Sequence, residues 1–400
     1  MNSLRVVPAL SSILIGLALL FATTARLATA AAVDRFVTVN GSGSTCSQAS
    51  PCSLQTAISL SADGDTIHVA GGVYTGTAFA VIAPSTSVTL QGGWDGSAVG
   101  TVVRNPRVYT TTLDGENQRR GVYFNGDISV TLDGFRVTRG LAVEGAGIAA
   151  YASGLMTVRD CVIVSNTATG GWGGGVQVDS GNLDFEHNVV MSNVTPYEGG
   201  GLAAAFDSRL TIKNNLFVGN SAGVSGGGIR LRDIQATLIN NTIARNTADG
   251  VHATSEYTTS LTVITLTNNI IVLNAYGLRV GVQNSGVTPT VAMAHNDVWN
   301  NATANYAGVT NPTGSDGNLS VNPRFVSGAD EGYYLSQVAS GQANTSAAVD
   351  AGSGSALSLG LGARTTRSDR FPDICIVDMG YHYPAVTLRE LFMPVILRLP

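Results

Sequence analysis

One feature constrains this chain more than any other: a short segment ending in asparagine returns about every 27 residues. The copies are Cys161-Val-Ile-Val-Ser-Asn166, Asn188-Val-Val-Met-Ser-Asn193 and Asn215-Leu-Phe-Val-Gly-Asn220, then Asn241-Thr-Ile-Ala-Arg-Asn246, Asn269-Ile-Ile-Val-Leu-Asn274 and Asn296-Asp-Val-Trp-Asn-Asn301. Their last asparagines are 27, 27, 26, 28 and 27 residues apart. Glycine clusters at Gly173–Gly175, Gly199–Gly201 and Gly226–Gly228 keep the same beat, each followed by Val176, Leu202 or Ile229. A fixed period in this range marks a repeat architecture. Each copy holds three short runs of alternating apolar and polar residues, a strand pattern. Three strands of three to five residues bury nothing alone, but stacked coils pair at ~4.8 Å and align their inward side chains in columns. The expected fold is all-β: a parallel β-helix, a solenoid.

Composition agrees. Charged residues are 12% of the chain, and Lys213 is the single lysine against 21 arginines. A chain so poor in Lys and Glu lacks the residues that favour long helices. Glycine supplies 48 positions and asparagine 27. Asparagine tolerates left-handed backbone and carries donors and an acceptor on one amide. At a sharp corner, Asn188, Asn215, Asn241, Asn269 and Asn296 are expected to stack as a structural ladder, bonded coil to coil. Cys161 takes the first place in that column and reads as its buried cap.

The chain begins as an exported one does. Arg5 precedes the apolar run Ile13–Phe21, and Ala28-Thr-Ala30 offers small residues for cleavage, so residues 1–30 read as a signal peptide. The mature chain would carry 20 basic and 27 acidic residues, a net charge of −7, with no later apolar run long enough to span a bilayer. That balance, without a Lys/Arg cluster, argues against a nucleic-acid partner. Export permits disulfides, and Cys46 and Cys52 bracket a short loop that they can close. Cys161 and Cys375 are expected to remain free. No CxxC or histidine cluster supports a metal site.

The motifs carry a resemblance. Leu216-Phe-Val-Gly-Asn220 followed by Gly226-Gly-Gly-Ile229 resembles the FxxN…GGxI repeats of polymorphic outer-membrane proteins. The wider pattern, with Thr112-Leu-Asp-Gly115 and Val130-Thr-Leu-Asp-Gly-Phe135, resembles right-handed β-helix proteins of the pectate-lyase-like superfamily. Pro51–Ile58 looks like their short N-terminal capping helix. Gly317–Phe325, Val349–Gly352 and Val377–Tyr383 look like the closing segment of secreted "choice-of-anchor Q" proteins. The implied division is a signal peptide over 1–30, a right-handed parallel β-helix with its cap over 35–310, a closing segment over 311–384 packed on one end of the stack, and an apolar tail over 385–400. The tail reads either as a sorting signal or as a strand covering the open end.

Candidate chemistry is sparse. Gly145-Ala-Gly-Ile-Ala-Ala150 fits a dinucleotide fingerprint and Gly223-Val-Ser-Gly-Gly227 a nucleophile elbow, but both lie at glycine corners without the strand–helix context those motifs need. Arg159, Glu186 and Lys213 fall 27 apart and should stack as alternating charges on one outer face. Asp184 and Glu186 offer calcium two carboxylates, where it takes six to eight oxygens, so no cofactor is expected and calcium is the residual candidate. The more promising face follows the glycines. With Val176, Leu202, Ile229, Val251 and Leu278 inward, their successors Gln177, Asp179, Arg230, Arg232, His252 and Arg279 should face solvent, with Asp207 at a strand end. Three arginines there suit carboxylate recognition. The reading favours a monomeric, secreted or cell-surface protein that binds extracellular polysaccharide or a surface component without catalysis. The alternative is a polysaccharide lyase or glycoside hydrolase acting on an acidic glycan.

Overall fold

The computed structural model describes residues 31–256, 261–282, 286–330 and 332–386; the expected signal peptide, 1–30, and all but the start of the expected apolar tail lie outside them. The described chain winds into a parallel β-solenoid of about nine turns with very little helix. A typical coil contributes one strand to each of three long parallel sheets, and four coils add a two-residue strand, from Leu141–Ala142 to Ser221–Ala222, to a short fourth one. The first sheet runs from Asp34–Val37 to Thr290–Ala294 in ten strands. The second runs from Gly72–Tyr74 to Asp297–Trp299, and the third from Ala80–Ile82 to Ala304–Ala307, in nine strands each. One coil reads Ile229–Arg232 in the third sheet, Gln235–Ile239 in the first and Thr242–Ala244 in the second. The register is regular: Leu210 pairs with Ala236, which pairs with Ile264.

Inward residues form the expected columns. Val176, Leu202, Ile229, Val251 and Leu278 are all buried in a single core cluster with Phe185, Ile212, Leu238, Phe217 and Ile243 from the other two sheets. At ~25 cal/mol per Å² of buried apolar surface, such columns supply the main drive to fold, and each coil's core is completed only by its neighbours.

Asparagines hold the corners. The Asn188 amide donates to Asn215 Oδ1 at 3.0 Å and to Val158 O at 2.9 Å, and the pattern repeats through Asn215, Asn241, Asn269 and Asn296. The Cys161 backbone N–H donates to Asn188 Oδ1, and its buried thiol contacts Leu132 O, so the cysteine heads the column. A second ladder stands at the next corner, where Asn166, Asn193, Asn220, Asn246, Asn274 and Asn301 bond in the same way. These are the repeat's terminal asparagines.

At the N-terminal side a seven-residue helix, Leu54–Leu60, adds Leu54 and Ala57 to the main core. Ser53 caps it by accepting the Thr56 N–H. Cys46 and Cys52 form a disulfide beside it, with Cα atoms 4.6 Å apart, while Cys161 and Cys375 are free. A loop this short gives about 2 kcal/mol of stabilisation by chain entropy. Accordingly, a Cys46→Ser, Cys52→Ser variant should lose about 2 kcal/mol in a urea melt; an unchanged midpoint would show that the bridge is idle.

The C-terminal segment departs from expectation. Instead of packing on one end, it is laid along the outer face of the second sheet. Asn214, Asn240 and Asn268 adopt positive φ at the corners, and their side chains engage it. Asn214 exchanges two hydrogen bonds with the His382 backbone, Asn240 donates to Asp378 O at 2.8 Å, and Asn268 Oδ1 accepts from Ser353 N at 2.8 Å. Apolar contacts complete the seam: Leu216 joins Tyr334, Tyr381 and Tyr383, while Ala244, Ile270 and Val272 join Leu335, Ala348 and Met379. The physical reason is that the second sheet's outward positions are themselves apolar here and need a cover.

On the first sheet, Arg159, Glu186 and Lys213 stand in register as expected. The ion pair Arg159 makes is with Asp133, at 2.8 Å, rather than with Glu186.

Candidate functional site

The third sheet's outer face carries the residues picked from the sequence. One row in register runs Tyr123, Ala149, Gln177, Ala203, Arg230, His252, Arg279. A second row brings Asp179 beside Ala205, and Arg232 beside Thr254. Asp207 sits just past its strand at φ 57°, exposed, with its N–H donating to Asp233 O. The rows assemble as the alternation implies, but their exposure does not follow. Gln177 and Arg230 were expected in solvent; they are 0% and 1% exposed, and His252 is 8% exposed.

The glycine corners account for this correction. Gly199 (φ 72°) and Gly226 (φ 61°) fold the corner back over the strand that follows, and a Cβ on Gly199 would sit 2.4 Å from the Ala203 Cβ. The first outward residues after these corners, Ala203 and Arg230, and likewise Gln177 after Gly173, therefore lie beneath a corner instead of in water. Only glycine allows that approach together with that backbone.

The arginines are also spoken for. Arg230 Nε lies 3.1 Å from Glu198 Oε2, and its Nη1 donates to Leu231 O. Arg232 pairs with Glu256 at 2.8 Å, and Arg279 with the fully buried Asp249 at 2.7 Å. Burial pushes the His252 pKa down to about 2, helped by the charges of Arg230 and Arg279, so the imidazole is neutral. The expected positive strip is thus neutralised by three acids.

What the face does present is aromatic. Phe79 meets Tyr123 edge-on at 5.0 Å, and Tyr123 meets Tyr151 at 5.8 Å, forming a row across successive coils. Phe79 is 59% exposed. Farther along, the Arg232 guanidinium lies 3.9 Å from the Trp172 ring centre and 5.1 Å from that of Phe206. Trp172 and Phe206 stack nearly parallel at 6.3 Å. Tyr151, the last ring of the first group, donates to Glu144 Oε1 at 2.8 Å, and Asp179 accepts from Gln177 Nε2 at 2.8 Å. Burial raises the Asp179 pKa to about 6; the Gln177 bond and Arg232 oppose the shift, and the Glu144 charge adds to it. Spacing alone does not reveal the row: Phe79 stands 44 residues before Tyr123, off the repeat, and Tyr151, although 28 residues after Tyr123, is not its register partner, since Tyr123 pairs with Ala149 and Tyr151 with Asn125.

These sheets, ladders and columns define the class: the chain is a right-handed parallel β-helix protein. One family model agrees at that level. The family described as "Right handed beta helix region" matches residues 85–233, and the family described as "Periplasmic copper-binding protein (NosD)" matches residues 173–320. Among solved structures, pectate lyase Pel9A is similar at 14% identity over 87% of this chain and 96% of its own, with a TM-score of 0.44. The A-module of the Azotobacter vinelandii mannuronan C-5 epimerase AlgE6 is similar at 15% identity over 72% of this chain and 89% of its own, with a TM-score of 0.29. No curated protein sequence matches.

The copper in the second family's description finds no matching donor set. Among the described residues no three His, Cys, Asp or Glu side chains converge as metal ligands. Within 173–320 the histidines stand apart: His187 and His252 belong to different sheet faces, and His295 Nδ1 contacts Ala351 O at 3.0 Å. Also among the described residues, no helix is long and apolar enough to cross a membrane.

Proposed function

We propose that this protein binds an extended extracellular polysaccharide along the coil axis, without catalysis, by stacking sugars on the aromatic row of the third sheet. The supporting observation is the row of rings that runs from exposed Phe79 through half-buried Tyr123 to half-buried Tyr151. Pyranose rings offer apolar C–H faces that pack on aromatic faces, and coils repeating at ~4.8 Å can address successive sugars. The ion-paired arginines shift the preferred ligand away from polyanions, because a neutralised strip exerts little pull on a charged chain. Location outside the cytoplasm accords with the signal-like N-terminus, the Cys46–Cys52 bridge and the word "periplasmic" in the description of one matching family. We further infer that helix Leu54–Leu60 closes the N-terminal end of the core, since Leu54 and Ala57 join it there.

The test is affinity electrophoresis through neutral gels (a mixed-linkage glucan, a galactomannan) and acidic ones (polygalacturonate, alginate). Wild type should be retarded, most strongly by a neutral polymer and with little dependence on salt. The Phe79→Ala, Tyr123→Ala variant should bind about tenfold more weakly, since aromatic pairs contribute ~0.5–1.5 kcal/mol each beyond their area. Equal mobility of both proteins in every gel would defeat the reading.

One observation favours a cleaving enzyme instead. Asp179 holds its proton up to about pH 6 beside Glu144 and Tyr151, as a general acid must. Reducing ends or unsaturated products released by wild type, and abolished by Asp179→Asn, would establish that alternative.

A further inference from the structure

A cavity of about 540 Å³ lies against the second sheet, a different face of the coil from the one that carries the aromatic row, under the laid-down C-terminal segment. It has three walls. The second sheet supplies Phe135, Arg136 and the His187 corner; the loop from Arg104 to Thr110 forms the second wall; the C-terminal segment adds Arg364 and Tyr381. Its volume falls within the range of small-molecule sites.

The charges around it do not balance. Four arginines line the cavity, Arg104, Arg107, Arg136 and Arg364, against Asp133, Asp160 and Asp330. Each carboxylate already has its cation. Asp330 takes Arg107 at 3.1 Å, and Asp160 takes Arg364 at 2.7 Å. Asp133 takes Arg104 and, from outside the cavity, Arg159 as well. Arg136 is exposed and has no ion pair or side-chain hydrogen bond among the described residues. Two further nitrogens have no hydrogen-bond partner although they are buried: Nη1 of Arg364 and Nε2 of His187. A buried donor left unmade is costly, and a ligand oxygen that accepts from Arg364 Nη1, and from His187 in its Nε2–H tautomer, removes the cost. His187 itself stays neutral, because burial lowers its pKa to about 3, with the Arg364, Lys213 and Arg159 charges adding to the effect.

We propose that this cavity binds one small oxyanion-bearing molecule, a carboxylate or phosphate up to the size of a sugar acid or sugar phosphate, held by the guanidinium groups of Arg136 and Arg364. Guanidinium is planar and matches both oxyanions two bonds at a time. Val162 and Val189, in register beside Arg136, and Tyr381 from the C-terminal segment supply an apolar wall for the body of the ligand. Since Arg364 and Tyr381 arrive on the C-terminal segment, an occupied cavity also fastens that segment to the coil, and binding should raise thermal stability by mass action.

Titration calorimetry of the full chain tests this with galacturonate, glucose 6-phosphate, inorganic phosphate and galactose. One equivalent of at least one anion should bind, with a matching rise in melting temperature, and galactose should give no heat. Arg136→Ala should weaken binding at least tenfold while melting like wild type, since the side chain supports nothing. Arg209→Ala, an exposed arginine on the first sheet, should bind like wild type. The Phe79→Ala, Tyr123→Ala variant should as well, which separates this site from the polysaccharide face. Binding of galacturonate alone assigns a carboxylate, and binding of phosphates alone assigns a phosphate; both uphold the proposal. No heat from any anion at millimolar concentration, equal binding of galactose, or an unaffected Arg136→Ala variant would overturn it.

Discussion

Asn241→Leu is expected to lower the melting temperature by about 8 °C, although leucine is apolar, similar in size and placed in a dry corner. The Asn241 amide donates to Ile212 O at 2.7 Å and to Asn269 Oδ1 at 2.9 Å. Its Oδ1 accepts the Asn215 backbone N–H at 2.9 Å and the Asn215 side-chain amide at 3.0 Å. All these groups are buried, so leucine strands them without water to take the vacated bonds. At ~1–3 kcal/mol for each stranded group the total exceeds about 4 kcal/mol, and a large domain shifts by about 2 °C per kcal/mol. Asn182→Leu, at an exposed position on the first sheet, is the matched control and should stay within a degree or two. If both variants melt like wild type in a calorimetric scan, the ladder carries no weight.

Arg230→Ala should cost about 3 kcal/mol or more in a urea melt, where an arginine standing in solvent would cost almost nothing. Removing the guanidinium leaves Glu198 facing a low-dielectric pocket with only Ser225 Oγ, at 2.9 Å, to satisfy it. Breaking a buried pair from one side typically costs 3–5 kcal/mol, most of it the penalty of the abandoned charge. The origin can be isolated. The double variant Glu198→Ala, Arg230→Ala removes both charges and should recover a large part of the loss, so the two substitutions couple strongly. A neutral Arg230→Ala, or a strictly additive double variant, would mean that the pair contributes nothing.

These arginines mark where the sequence stops being legible. The coil was readable because the interval between Asn188, Asn215 and Asn241 registers directly which residues stack, and alternation around Val176 or Ile229 registers which point inward. Alternation gives direction, not exposure. Whether Arg230 meets water depends on a corner two to four residues earlier folding back over it, a fact carried by the positive φ of Gly226 and invisible in a hydrophobic pattern. The aromatic row was hidden for a related reason: Phe79 lies 44 residues before Tyr123, off the repeat, and Tyr123 and Tyr151 touch diagonally across strands instead of as register partners. The course of the C-terminal segment depends on bonds spanning 85 to 168 residues, from Asn268 to Ser353 and from Asn214 to His382. One local signal did exist. Leu216, Ile270 and Val272 are apolar on the outward side of their strands, beside inward Phe217 and Ile271, and doubly apolar strands announce that something covers them.

The line of asparagines that grips that segment bears on how such a molecule can change its length. Solenoids ordinarily grow or shrink by duplicating or deleting a coil, because each coil needs only its neighbours. Here Asn214 meets residue 382 and Asn240 meets residue 378, two points on one stretch of peptide whose span is set by its own bonds. An added coil between them would carry one asparagine ~4.8 Å past its partner, and the peptide could follow only by lengthening at the same time. The segment acts as a gauge laid against the stack, and it ties the number of coils in this part of the molecule to a count of residues at the far end of the chain.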